Sequence, residues 1–177
     1  DFVLSPTLKA VLKPVEKEPK TKLAPPGSEV FMKDGLGGAV TAVAVASNGA
    51  WIATGNDKGE TRLHPREGDS VTLATAGGPV SGLAALDDTT LVAALGDGSG
   101  GASIRFYGTK SGEEKATFPG HEGAVRAISL SGDGKVLASA GEDRTVRLWN
   151  VADGKELKKL RGHEGPVVDV ALSPDGK

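Results

Sequence analysis

Residues 121–135, HEGAVRAISLSGDGK, return nearly unchanged at 163–177 as HEGPVVDVALSPDGK. Nine of the fifteen positions are identical and the offset is 42 residues. A chain that repeats itself at this spacing is built from stacked copies of one supersecondary unit, because a single copy cannot bury its own apolar face. The frame continues upstream through a Val that follows Pro or a small residue: Val40, Val80, Val125 and Val167, with steps of 40, 45 and 42 residues.

The best-defined unit reads as four short strands. Residues 125–130 make the first, ahead of the turn Ser131-Gly132-Asp133-Gly134. Residues 136–140, rich in small apolar types, make the second, and Gly141-Glu142-Asp143-Arg144 the next turn. Residues 145–149 alternate partly in polarity, and 156–160 form an outer strand after the turn Asp153-Gly154-Lys155. Short strands between Gly/Asp turns, with no useful helical period, predict an all-β array, and a period of 40–45 suits a four-stranded propeller blade.

The marks Gly120-His121, Leu130-Ser131-Gly132-Asp133-Gly134, 137–143 (LASAGED) and Val146-Arg147-Leu148-Trp149-Asn150 resemble a WD-repeat β-propeller blade, with Asn150 in place of the Asp of Trp-Asp. The resemblance covers residues 37–177. It implies an incomplete propeller over 29–177, with blades at 37–76, 77–120 and 121–162 and the start of another at 163–177, behind a Pro/Lys-rich linker or tether at 1–28. Five of the ten prolines fall in that linker. Residues 29–34 read as a short outer strand. The first two blades are more degenerate: His64 and Tyr107 stand where Trp149 stands, and Leu36 where His121 stands. The start at Asp1 and the end inside a turn suggest a piece of a longer protein whose remaining blades complete the ring.

His121, Ser139 and Asp143 have the residue types of a hydrolase triad. No Gly-x-Ser-x-Gly elbow surrounds Ser139, which sits in an Ala/Leu strand expected to be buried. The resemblance instead implies a buried hydrogen-bond network of Trp149, Ser139, His121 and Asp143, so no catalytic residue is expected and the chain is not read as an enzyme. His64, His121 and His163 are too far apart for a metal motif, and the acidic turns Asp87-Asp88 and Asp97-Gly98-Ser99-Gly100 lack the carboxylates of a calcium loop. The glycine run 96–101 lacks the Lys-Ser/Thr of a phosphate loop and precedes a strand. No cofactor or metal is expected.

A net charge of −2 makes no electrostatic case for nucleic acid. Cysteine is absent, which removes disulfides and thiolate chemistry, and no apolar run is long enough for a transmembrane helix. The compartment is not decided by the sequence. The resemblance implies a protein–protein interaction scaffold whose partner docks on the turns before the first strand and between the second and third. There Arg126 and Glu142 are the first candidates for contact, with Thr41, Asn56 and Ser81 behind them. Arg126 and Glu142 can equally pair with each other. The alternative is a propeller arm of a larger enzyme or sensor (a kinase, protease or redox fusion) whose chemistry lies elsewhere; the Ala/Gly/Val-rich strands would suit a bacterial source.

Overall fold

In the computed structural model, residues 37–96, 99, 101–119 and 121–176 are described. The expected linker at 1–28, the strand at 29–34, Leu36, Gly120 and most of the glycine-rich turn lie outside them.

Twelve strands form three four-stranded antiparallel sheets. The first holds β1 (Val40–Val45), β2 (Trp51–Asn56), β3 (Glu60–Pro65) and β4 (Val71–Thr75). The second holds β5 (Val80–Asp87), β6 (Thr90–Gly96), β7 (Ala102–Gly108) and β8 (Glu114–Pro119), and the third β9 (Val125–Leu130), β10 (Val136–Gly141), β11 (Val146–Asn150) and β12 (Glu156–Leu160). Each sheet is a meander in which sequence neighbours pair, so every connection is a short turn. The first strands β1, β5 and β9 lie side by side, as the inner strands of neighbouring propeller blades.

The second strands show why small apolar residues recur. Each lies inside its sheet with neighbours on both faces. Accordingly β2 is buried at every position and β6 at all but its last. Their sequences, WIATGN, TLVAALG and VLASAG, are nearly continuous apolar or small runs rather than alternations. Outer strands β4 and β12 are mostly exposed.

The core lies between the sheets. Val92, Ala94, Ile104, Phe106 and Phe118 of the second sheet pack with Val125, Leu137 and Trp149 of the third. The rings of Phe106 and Phe118 have centroids 4.6 Å apart, and Phe118 and Trp149 6.2 Å. Ala44, Trp51, Ala53 and Leu63 of the first sheet meet Leu91 of the second.

The recurring Val of the sequence frame is the peg of this packing. Val80 and Val125 are fully buried, and Val167 nearly so. A Cβ on Gly55 would come within 2.3 Å of Val80 Cγ1, so only Gly admits that peg. The register places Ala94 and Ala140 where Gly55 sits in the first sheet, and these alanines share core clusters with Val125 and Val167 respectively. One large residue entering one small gap on the preceding blade therefore recurs at each junction.

Residues 163–176 form no strand. The segment still packs on the third sheet: Val167 N donates to Gly141 O at 3.1 Å, and Leu172 N to Ser129 Oγ at 3.0 Å.

Candidate functional site

The third sheet gathers the residues singled out by the repeat. Leu137 faces Trp149 and Ser139 faces Arg147 across the β10–β11 ladder. Trp149 Nε1 donates to Ser139 Oγ at 2.9 Å, Ser139 Oγ lies 2.8 Å from His121 Nε2, and His121 Nδ1 lies 2.7 Å from Asp143 Oδ1. An ionised carboxylate only accepts, so His121 carries its proton on Nδ1 and the Ser139 hydroxyl donates to Nε2. The donors then run one way, from indole to carboxylate. Gly141 makes room for the ring, since a Cβ there would approach His121 Cγ to 2.4 Å.

Asp143 is the anchor. It accepts from Thr145 Oγ1 at 2.7 Å, Thr145 N at 3.1 Å, Glu122 N at 3.2 Å and Arg147 Nη2 at 2.9 Å. Burial pushes its carboxyl up, but the hydrogen bonds from Thr145, His121 and Arg147 outweigh that and hold it far below the usual carboxylate range. Burial pulls His121 below its ordinary value, against the opposing hydrogen bond and charge of Asp143. The sequence reading missed Thr145 and Arg147. The signal was available: Thr145 sits two residues past the turn Asp, where its backbone N–H closes an Asx turn and its hydroxyl can add a second bond to the same carboxylate.

This constellation has the residue types and the hydrogen-bond order of a triad, but not an accessible nucleophile. Ser139 is fully buried, and its oxygen already accepts the indole N–H. No substrate atom can reach it.

The other two blades vary the column. In the first, Thr54 Oγ1 and His64 Nε2 lie 2.9 Å apart, at the places of Ser139 and Trp149, and His64 Nδ1 lies 2.9 Å from Ser70 Oγ. In the second, Ala93 faces Arg105 where Ser139 faces Arg147, so the hydroxyl is gone. Leu95 stands at the place of Gly141 and packs in one cluster with Ala76, which takes the place of His121. Large has replaced small on one side and small has replaced large on the other. Tyr107, in the Trp149 place, keeps a buried hydroxyl without a hydrogen-bond partner among the described residues, and burial pushes its pKa up.

The rim residues share a backbone device. Register shifts fall between Val40 and Ala42, between Val80 and Gly82, and opposite Arg126 in the β9–β10 ladder. Thr41, Ser81 and Arg126 are thus the extra residues of three equivalent β-bulges, one per inner strand, and a bulge re-aims the side chain it carries. Thr41 Oγ1 donates to Val80 O at 2.6 Å, tying the first blade to the second. Ser81 Oγ lies 3.5 Å from Ala94 O. Arg126 Nη2 pairs with Glu142 Oε1, and both side chains stay substantially exposed. Glu142 also accepts from Ala124 N at 3.3 Å, and that backbone bond together with Arg126 lowers its pKa.

Asn56 is placed differently. It is only 4% exposed, and its Oδ1 accepts from Lys58 N at 3.0 Å and Glu60 N at 2.8 Å. It braces the turn from beneath. The rim position equivalent to Glu142 belongs to Asp57, whose Oδ1 accepts from Ala39 N at 2.9 Å just as Glu142 accepts from Ala124 N. Counting back from the Trp149 place would have found it, since Asp57 precedes His64 by the interval at which Glu142 precedes Trp149.

Among the described residues no group of three His, Asp or Glu could hold a metal ion, and no helix is long and apolar enough to cross a membrane. The family description WD domain, G-beta repeat matches residues 31–63, 112–150 and 154–177, more than half of the chain. The chain belongs to the WD-repeat family. The unmatched stretch holds most of the second blade, where Ala93, Leu95 and Tyr107 have replaced the polar column. No curated protein matches the chain. Repeats of this family are generally protein-interaction modules, typically without catalysis.

Proposed function

We propose that this chain is a non-catalytic scaffold that receives a protein partner on the rim carrying Thr41, Ser81, Arg126 and Glu142, with Asp57 beside them. The supporting observation is the threefold bulge. Three adjacent inner strands each push one side chain out at the same height, and Arg126 with Glu142 supplies a charged, half-exposed pair at one end of the row. Arg is suited to such a role because its planar fork offers several donors in fixed geometry. The ion pair itself is exposed and screened by solvent, so it adds little to folding and is free to be exchanged for a partner's groups. The column beneath holds the turns that carry this rim; Asp143 anchors the turn next to Glu142.

The test is site-specific photo-crosslinking in the source cell. Photoreactive residues at positions 41, 81 and 126 should give protein adducts, whereas the same groups at 48, 88 and 133, in the turns at the other end of the sheets, should not. Equal labelling at both sets would remove the rim from consideration.

A further inference from the structure

The outer edge of the third blade differs from the other two. Strand β4 (VTLAT) has no charged residue, and β8 (EKATFP) has one of each sign. Strand β12 (ELKKL) is flanked by Lys155 and Arg161, so Lys155, Lys158, Lys159 and Arg161 stand against one Glu. Lys155 is paired with Asp153, and Lys159 reaches Glu122 and Asp143. Among the described residues no ion pair engages Lys158 or Arg161.

Lysine on an edge strand commonly blunts it against unwanted pairing. Here the edge is not blunted throughout. Leu157 is 55% exposed and Leu160 39%. Leu157 borders a shallow groove of about 420 Å³, walled by Val136, Val151 and Ala152 with Lys135 at its lip. The strand is the last in its sheet order, so among the described residues no strand pairs with the backbone groups on its outer side.

We propose that β12 accepts an acidic, extended peptide as a fifth strand, with an apolar side chain in the groove beside Leu157 and carboxylates on Lys158 and Arg161. Main-chain hydrogen bonds along a free edge supply affinity, and alternate side chains supply specificity. Charge selects the occupant: the unpaired cations favour a carboxylate-bearing segment and repel a basic one. The surface is separate from the bulged rim, and neither reading depends on the other.

Fluorescence anisotropy of the 177-residue chain with a labelled peptide of about nine residues, alternating Glu with Val and Leu, tests this. Saturable binding is expected below about 1 mM peptide. It should weaken at least about tenfold in K158E/R161E and again at high salt, and also in L157S. A variant with R126A and E142A should bind as the native chain does. Positions 126, 157, 158 and 161 are exposed and Glu142 is partly so, and circular dichroism checks that the sheets persist. The proposal is overturned by absence of binding at about 1 mM peptide, by equal binding to K158E/R161E, or by equal binding of a peptide with Lys in place of Glu.

Discussion

Asp143 is a single carboxylate with five donors converging on it, from His121, Thr145, Glu122 and Arg147. Removing it strands several buried donors at once. Asp143→Ala should lower the unfolding free energy by about 1–3 kcal/mol, read from urea denaturation; an unchanged midpoint would show that the column carries no stability. The same residues set a pH dependence. Asp143 has a folded pKa below its unfolded one, so its contribution is complete at neutral pH and is lost as pH falls below about 4. His121 is also held below its unfolded value. The unfolded chain therefore takes up that proton first, and stability falls as pH drops below about 6.5. Denaturation midpoints measured from about pH 7.5 to pH 5 should decline for the native chain and decline less for His121→Gln, which has no proton to gain.

At the scale of strands, the second strand of each sheet is both a ladder member and a socket. Gly55 is there because Val80 needs its space. Gly55→Ala should cost about 1–3 kcal/mol by overpacking. Val80→Ala added to it should cost less than the two separate losses combined, because the second change vacates the volume the first one fills. Strictly additive losses in a double-mutant cycle would remove the peg from the junction. The column follows the same logic of paired sizes. His121 with Gly141 and Ala76 with Leu95 are two solutions to one volume, which is why the second blade keeps its strands after losing its polar marks.

Across the molecule, stability is a sum over junctions, because each blade's apolar faces are covered by its neighbours. Phe118 belongs to β8 yet contacts Trp149 of the third blade. Phe118→Ala should cost about 3–5 kcal/mol. Hydrogen exchange should place the loss in both flanking sheets, not in the first one. Faster exchange confined to β8 would mean that the blades do not act together.

The strand order, the blade spacing and the polar column were legible in the sequence, because a 42-residue repeat restates local turn chemistry that each unit executes on its own. Ser139, His121, Asp143 and Trp149 could be named by matching one unit to a family pattern. Pairing beyond the pattern was not legible. The Asp57 rim position could have been counted from the repeat, but the bulges that lift Thr41, Ser81 and Arg126 out of their ladders are announced by no local propensity. The amino-acid order determined that four-stranded units would form and where their turns fall, because strand and turn preferences act over a few residues. Tertiary structure alone decided which side chains share a junction and, among the described residues, which cations in and beside β12 have no ion pair and which hydroxyls, those of Thr61 and Tyr107, are buried without a hydrogen-bond partner, because those outcomes depend on volumes and charges brought together from different strands and blades.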